Sequence, residues 1–140
     1  SKEDGPIHDH FHMFVVDNGQ TLDSVSLSDE LVTVLPNPNT GGSGGFARGM
    51  MAATATPGQF THIILMDDDV SIMPESLIRT FNLLSLAKGK YKDAFINGAM
   101  LSMEDPTRQF EDVSYVATTG AYRRVKEDLN VGKLSFYNNL

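Results

Sequence analysis

The sequence predicts an α/β fold, built on a mostly parallel sheet with flanking helices. Candidate strands alternate with candidate helices along the 140 residues, which is the pattern of βα units whose strands pair in parallel. Residues 63–66 form an apolar run without alternation, which is typical of a strand buried on both faces. Acids follow at once at residues 67–69, at the carboxyl end of that strand, where open α/β sheets bind ligands.

The first predicted strand covers residues 10–16 and ends at an acid, Asp17. An Asn-Gly pair follows directly, and this pair is a strong turn signal. A short helix is predicted within residues 21–28, which mix polar and apolar side chains. The β-rich run at residues 31–35 predicts a second strand, and a Pro-Asn-Pro sequence ends it because proline cannot donate a ladder hydrogen bond.

A glycine-rich stretch, residues 41–45, leads into an Ala- and Met-rich segment, residues 46–53, that predicts a helix. The free N–H groups and the dipole of a helix N-terminus favour an anion. Arg48 is expected in the first turns of this helix, where its guanidinium could reach a phosphate. The alternatives are a flexible glycine turn and an ordinary surface arginine.

The clearest predicted helix begins at Pro74, because proline suits the first helical position and Glu75 complements the dipole. Gly89 between two lysines marks its end. Residues 95–100 predict a further strand, and residues 113–125 predict another strand or a hairpin. One apolar face with a period near 3.6 runs along the helix, and it consists of Leu77, Ile78, Phe81 and Leu84, with Ser85 at its margin.

Composition restricts the class of protein. The length and the 41% hydrophobic content suit a single domain over residues 1–140. A net charge of -7 with 11 Lys and Arg predicts no nucleic-acid partner, because phosphate binding needs basic patches. The chain has no cysteine for a disulfide or a thiolate metal site. No apolar run approaches the ~20 residues of a membrane span, and no signal-peptide pattern opens the sequence, so a cytoplasmic location is predicted.

The acid triplet, residues 67–69, is the main candidate for chemistry. Its carboxylates repel one another unless solvent, a helix N-terminus or a cation relieves the repulsion. Since side chains alternate along an extended chain, Asp67 and Asp69 are expected to point the same way. Two carboxylates with room for phosphate oxygens suit Mg2+ or Mn2+. A solvated acidic turn before the next helix is the alternative interpretation.

Other classes of protein share parts of these patterns. Residues 42–47 match G-x-G-x-x-A, with an acid about 20 residues further on, as in an NAD(P)-binding Rossmann-type module. The glycines, however, do not follow the strand immediately, and one ribose-binding acid would not explain three. Asp67 and Asp69 after an apolar strand also resemble the nucleophile motif of haloacid-dehalogenase-like phosphatases. That motif would need a further acidic pair at another strand end.

Three histidines alternate near the start of the chain, at positions 8, 10 and 12. On a strand they would line one face, where imidazoles could bind zinc or nickel. A polar strand start at the surface is the interpretation that such a pattern favours. The sequence alone leaves the metal alternative open.

Combined, three segments resemble family-two glycosyltransferases of the GT-A fold, most similar to galactofuranosyltransferase-like and rhamnosyltransferase-like members. They are the Asp-Asn-Gly of residues 17–19, NTGGSGGFAR at residues 39–48, and ILMDDDVSIMPESLIR at residues 64–79. The resemblance implies a Rossmann-like GT-A sheet and transfer of a sugar from a UDP- or dTDP-sugar to a glycan or lipid-linked acceptor. It further implies inversion at the transferred carbon and a place in cell-wall or polysaccharide biosynthesis.

The resemblance also implies residue roles. Asp67 and Asp69 correspond to the D-x-D pair of the family, which binds the Mn2+ or Mg2+ ion that bridges the diphosphate. The residues implied to bind the nucleotide sugar are Asp17 at the nucleobase, Gly44, Gly45 and Arg48 beside the nucleotide and its diphosphate, and Asp68 near the ribose or donor sugar.

Two features depart from the family pattern. Members begin with an earlier strand that carries part of the nucleotide pocket, and too few residues precede the first predicted strand here. The general base of the family lies in a later acceptor-binding region, so the catalytic base is expected outside this chain. The sequence is therefore expected to be a fragment truncated at both ends, which could be inactive alone and could reach a membrane through other parts. A non-catalytic domain that binds nucleotide sugars is a further alternative.

Overall fold

The computed structural model describes residues 7–55, 60–111, 114–125 and 129–133. The chain forms two compact units, Ser1–Leu86 and Ala87–Leu140. The acid triplet and the glycine stretch both belong to the first unit. The single domain over residues 1–140 stays a prediction.

A pair of parallel strands is the centre of the first unit. Strand β1 (Met13–Asp17) pairs with β2 (Val32–Pro36), and Asp17 lies opposite Pro36 at the carboxyl end. The short helix α1 (Ser24–Leu27) lies in the crossover and contacts β2. This β-α-β unit follows the predicted order closely, and each of its elements lies within three residues of the predicted bounds.

Helix α2 (Gly41–Thr54) starts at the first glycine, five residues before the predicted beginning of the helix. The helix packs on β1, and a Cβ added to Gly49 would lie 3.4 Å from the Cγ2 atom of Val16. Small side chains therefore bring this helix close to the sheet. The buried apolar residues of the described chain, Val34 and Ala53, lie on β2 and on α2.

Helix α3 (Pro74–Leu86) begins at the predicted proline and ends just before the predicted stop. The apolar residues of its predicted face are half-buried, and Ser85 at the margin of that face is exposed. The ring of Phe81 stacks on the imidazole of His10 with the ring centroids 5.1 Å apart. Gly89 has a φ of +59°, which glycine adopts without strain and which fits its predicted place after the helix.

The histidine-rich start is not a strand. His8–His10 forms a single 3-10 turn, and β1 begins only at residue 13. The Nε2 atom of His12 lies 2.8 Å from the Oγ1 atom of Thr33, and its ring lies 4.8 Å from that of Phe14. Among the described residues, no group of His, Asp and Glu side chains is arranged to hold a metal ion, so the structure gives no support to the zinc or nickel alternative.

Residues 63–66 do not form the predicted central strand. Within the described chain they pair with no other strand, and their side chains are 43% to 56% exposed. Local composition predicts a strand, but a strand is buried only when neighbouring strands supply hydrogen bonds and helices cover both faces. In the described residues the parallel sheet has two strands, β1 and β2. The α/β class is confirmed, while a larger Rossmann-like sheet is not.

The second unit is made of short antiparallel strands. Strands β3 (Met100–Leu101), β4 (Arg108–Glu111) and β7 (Leu129–Asn130) form one sheet in the order β3-β4-β7. The strand predicted over residues 95–100 reaches β3 only at Met100. Strands β5 (Ser114–Val116) and β6 (Tyr122–Arg124) form the hairpin that the sequence allowed over residues 113–125. The helices of the described residues are too short or too polar to cross a membrane.

Candidate functional site

A buried carboxylate closes the loop that follows β1. Asp17 is 8% exposed, and its Oδ1 atom accepts the backbone N–H of Gly19 at 3.0 Å while Oδ2 accepts that of Leu22 at 2.8 Å. Hydrogen bonds to an ionised acceptor are stronger than neutral ones. Each carboxylate oxygen keeps a further lone pair, so Asp17 both shapes its loop and can accept another donor.

A second buried polar side chain, Asn37, follows β2 directly and is 7% exposed. Its backbone N–H donates to the carbonyl of Asp17 at 3.0 Å, and its carbonyl accepts the Nε2 atom of Gln20 at 3.3 Å. The sequence analysis missed this residue, although its place between two prolines at a strand end marked a fixed turn. The Nδ2 atom of Asn37 lies near three acceptors: Asn18 Oδ1 at 2.8 Å, the Pro38 carbonyl at 2.9 Å and Thr40 Oγ1 at 3.3 Å.

The glycines at positions 44 and 45 let the neighbouring loops approach α2. A Cβ at Gly44 would overlap the side chain of Thr40, and a Cβ at Gly45 would lie 3.0 Å from the Nδ2 atom of Asn18. A side chain at either position would therefore require the neighbouring side chain to move. The stretch forms the first turns of a helix and is not the flexible turn that its composition also allowed.

The N-terminus of α2 offers backbone donors. The side chain of Thr40, which precedes the helix, makes no capping hydrogen bond. The first N–H groups of a helix have no partner within it, and the dipole adds partial positive charge there. The N–H of Gly41 is bonded to the Oδ1 atom of Asn39 at 3.1 Å, so the donors on offer are those that follow it. Arg48 lies in the second turn, is exposed, and makes no hydrogen bond or ion pair with another described residue. Arg48 and the helix start thus belong to the same helix, and their binding of an anion stays a prediction.

The acid triplet lies outside regular structure, between residues 63–66 and α3. Asp67, Asp68 and Asp69 are all exposed, and none makes a hydrogen bond or ion pair with another described residue. The described chain holds no group of three or more His, Asp or Glu side chains arranged as a complete metal cage. Mg2+ is usually held by one or two carboxylates together with waters and substrate phosphates, and Asp67 with Asp69 fits that incomplete donor set.

The structure brings part of the predicted site together. Gly45 lies against Asn18, the neighbour of Asp17 in the chain, so the loop after β1 contacts the first turns of α2. In the described residues no hydrogen bond or ion pair links the triplet to Asp17 or to Arg48. The phosphatase alternative needs a further acidic pair, and the late candidates in the sequence, Glu104-Asp105 and Glu111-Asp112, do not strengthen it. Asp105 accepts bonds from Thr107 within its own turn, and Asp112 lies outside the described residues.

Comparison with known proteins identifies relatives of this chain. The model of the family described as Glycosyl transferase family 2 matches residues 3–91. The galactofuranosyltransferase GlfT2 of Mycolicibacterium smegmatis (strain ATCC 700084 / mc(2)155) is 31% identical over 85 residues, which are 61% of this chain and 12% of that protein. The protein of the same name from Mycobacterium tuberculosis (strain ATCC 25618 / H37Rv) is 32% identical over 76 residues, 54% of this chain and 11% of that protein.

The matched region includes the loop after β1, all of α2 and α3, and the acid triplet. The matches span only 12% and 11% of the length of these two curated relatives. No solved structure matches the chain significantly.

Proposed function

The chain belongs to glycosyl transferase family 2, whose model covers residues 3–91 of its 140, and on this premise we propose that it carries the donor site of a metal-dependent glycosyltransferase. The donor is a nucleoside diphosphate sugar, with UDP- and dTDP-sugars as the first candidates. The acceptor is a glycan or a lipid-linked glycan, and the product belongs to a cell wall or polysaccharide. A cytoplasmic location is part of the same proposal.

The observation that carries the proposal is the unpartnered state of the acid triplet inside the region matched by the family. Three adjacent carboxylates, at Asp67, Asp68 and Asp69, make no bond to another described residue. Their exposure also fits a solvated acidic turn, but repulsion between adjacent acids does not favour the folded state. A cation bound with a diphosphate would relieve that repulsion, because it supplies the opposite charge.

The proposed metal ligands are Asp67 and Asp69, whose oxygens suit Mn2+ or Mg2+. When bound, the ion supplies Lewis-acid neutralisation of the diphosphate, which is a poor leaving group while fully charged. Asp68 lies between the two ligands and is proposed to accept a hydrogen bond from a hydroxyl of the ribose or of the donor sugar. Each role uses an exposed carboxylate and requires no rearrangement of a hydrogen bond in the protein.

The remaining donor contacts come from the loop after β1 and from α2. Asp17 keeps lone pairs beyond its two backbone hydrogen bonds, so it is proposed to accept an N–H of the nucleobase. The first N–H groups of α2 and the guanidinium of Arg48 are proposed to bind diphosphate oxygens. Gly44 and Gly45 let this helix start lie close to Thr40 and to the loop after β1.

The transfer reaction needs one group beyond these. The acceptor hydroxyl attacks the anomeric carbon, the bond from that carbon to the diphosphate breaks with its electron pair leaving on the nucleotide, and the hydroxyl proton passes to a carboxylate base. Attack from the side opposite the leaving group inverts the configuration of that carbon. We assign no residue of this chain as the base. The names of the two relatives make a galactofuranosyl donor the first sugar to test.

Calorimetric titration of UDP with and without Mn2+ tests the proposal on the native chain and on Asp67→Asn/Asp69→Asn. We expect UDP to bind only with Mn2+, and the double variant to lose that binding. Equal binding by the double variant would overturn the assignment of the metal ligands. Metal-independent binding of NAD(P) would favour the Rossmann-type module instead, and phosphate release that Asp67→Asn abolishes would favour a phosphatase.

The matched control is Glu30→Gln/Asp93→Asn, which removes two carboxylate charges elsewhere. Both residues are exposed and neither is bonded to another described side chain. The control variant has the same net charge as Asp67→Asn/Asp69→Asn, so any effect of overall charge appears in both. We expect it to bind UDP and Mn2+ as the native chain does.

A further inference from the structure

Asn37 is a buried polar side chain, 7% exposed, that lies next to the Asp17 loop and that the proposed function leaves unused. The acceptors around its Nδ2 atom belong to two loops, since Asn18 lies in the loop after β1, while Pro38 and Thr40 lie with Asn37 in the loop between β2 and α2. An amide nitrogen has two hydrogens to donate to these acceptors. The side chain therefore links the loop after β1 to the loop that leads into α2.

The backbone of Asn37 also makes two hydrogen bonds, one to Asp17 at the end of β1 and one to the loop that follows it. Its N–H binds the carbonyl of Asp17 at 3.0 Å, and its carbonyl accepts Gln20 Nε2 at 3.3 Å. Gln20 has a φ of +51°, which is unfavourable for a residue with a side chain. The bond to Asn37 helps to keep the loop in this conformation, so the position of the Asp17 loop depends on Asn37.

We infer that Asn37 is a positioning residue, which sets the separation between the nucleobase side and the diphosphate side of the donor site. The inference rests on the proposed function, in which Asp17 meets the base while α2 and the acid triplet meet the diphosphate. Asn37 itself touches neither part of the ligand. It joins Asn18, next to Asp17, to Thr40, next to the start of α2, and binding sites lose affinity when such groups shift by even ~0.5 Å.

Two ligands distinguish a positioning role of Asn37 from a general loss of folded protein. UDP with Mn2+ spans both sides of the site, whereas inorganic pyrophosphate with Mn2+ uses only the diphosphate side. A residue that sets the separation between the two sides is expected to affect the first probe and not the second. A residue that only supports the fold affects both probes equally, through the folded fraction.

The first variant is Asn37→Asp, which keeps the shape of the side chain but replaces the donor with a carboxylate that faces acceptors. Affinities are measured by calorimetry at a temperature at which circular dichroism shows each protein folded. We expect the affinity for UDP with Mn2+ to fall by roughly tenfold and the affinity for pyrophosphate with Mn2+ to stay unchanged. Asn82→Asp on the exposed face of α3 adds the same charge and is expected to change neither affinity.

A milder variant, Asn18→Ala, covers the case in which Asn37→Asp does not fold. It removes one acceptor of the Asn37 amide, together with the long 3.4 Å bond from Asn18 Nδ2 to the Gly41 carbonyl, and leaves the other two acceptors in place. We expect about a fivefold loss of affinity for UDP and none for pyrophosphate. Equal losses for both probes, or no loss for either, would overturn the positioning role alone. Failure of the native chain to bind either probe would instead overturn the proposed function, and this inference with it.

Discussion

Acids follow two of the apolar runs of the first unit, Asp17 after β1 and the acid triplet after residues 63–66, and they differ in exposure and in hydrogen bonding. Asp17 is 8% exposed and holds two backbone N–H groups of its own loop. The acids at residues 67–69 are exposed and hold no group of the described chain. Sequence position alone would give both the same role at a strand end.

This difference distinguishes carboxylates that stabilise the loop of a site from carboxylates that are available to bind a ligand. A carboxylate whose oxygens are already hydrogen-bonded contributes to stability, and its loss is felt whether or not a ligand is present. A carboxylate without a partner contributes nothing to folding and is available to a cation. In this chain the first kind builds the loop beside α2, and we propose that the second kind binds the metal ion.

Removal of the Asp17 carboxylate has the largest expected effect on the free energy of unfolding. Asp17→Ala leaves the N–H groups of Gly19 and Leu22 without their acceptor, and bonds to a charged group are worth about 1.5–3 kcal/mol each before water replaces them. We expect the free energy of unfolding to fall by about 3 kcal/mol, measured by urea denaturation. A loss below about 0.5 kcal/mol would show that the loop does not depend on this carboxylate.

Alanine substitutions in the glycine stretch, residues 41–45, have the next largest expected effect on the free energy of unfolding. Gly45→Ala places a Cβ 3.0 Å from Asn18 Nδ2, so the loop after β1 must move, and we expect unfolding to become easier by about 1 kcal/mol. Gly42→Ala is the control within the same helix, because nothing lies within 4 Å of its added Cβ. Alanine should there raise the free energy of unfolding by about 0.5 kcal/mol. Equal changes in the melting temperature of Gly45→Ala and Gly42→Ala would contradict the close approach of Asn18 to Gly45.

Without ligand, substitutions in the acid triplet should hardly change the free energy of unfolding measured by urea denaturation. Asp67→Asn/Asp69→Asn removes no hydrogen bond of the described chain, and it reduces repulsion between adjacent acids. We expect the free energy of unfolding to change by less than about 0.5 kcal/mol, in contrast to Asp17→Ala. A loss as large as that of Asp17→Ala would remove the distinction between the two groups of acids.

The smallest effect concerns an exposed acid that does have partners. The Oδ1 atom of Asp23 accepts the backbone N–H groups of Ser26 and Val25. The Ser26 N–H, the Ser26 side chain and the Val25 N–H, in that order of effect, hold the pKa of Asp23 below its ordinary value of 3.8. A lowered pKa means that Asp23 stabilises the fold above pH 3.8, and that this contribution is lost as the pH falls through the lowered value. Acid titration of stability should therefore be slightly flatter in Asp23→Asn than in the native chain. Identical titrations would show that the cap on α1 contributes nothing.

The sequence predicts elements whose signals are local. Helix α3 has a proline start and an apolar face, and both are found at Pro74 and in the half-buried row that includes Phe81. The β-α-β unit is bounded by turn residues and is also confirmed. Residues 63–66 are different, because a buried strand depends on neighbours that the local sequence does not encode.

The candidate site divides in the same way. The triplet, the glycine stretch and Arg48 can be recognised by residue type and spacing. Asn37 cannot, because its importance comes from contacts with Asn18 and Gln20, 19 and 17 residues away. The structural reason for Gly44 and Gly45 is equally hidden in the sequence, since it depends on where the loops approach the helix.

The most direct test of the account is the uptake of Mn2+ at increasing UDP, followed by the electron paramagnetic resonance signal of free Mn2+. We expect the native chain to remove Mn2+ from solution in proportion to bound UDP, and Asp67→Asn/Asp69→Asn to remove no more than UDP does without protein. Uptake by the double variant equal to that of the native chain would contradict the claim that the free acids hold the metal ion.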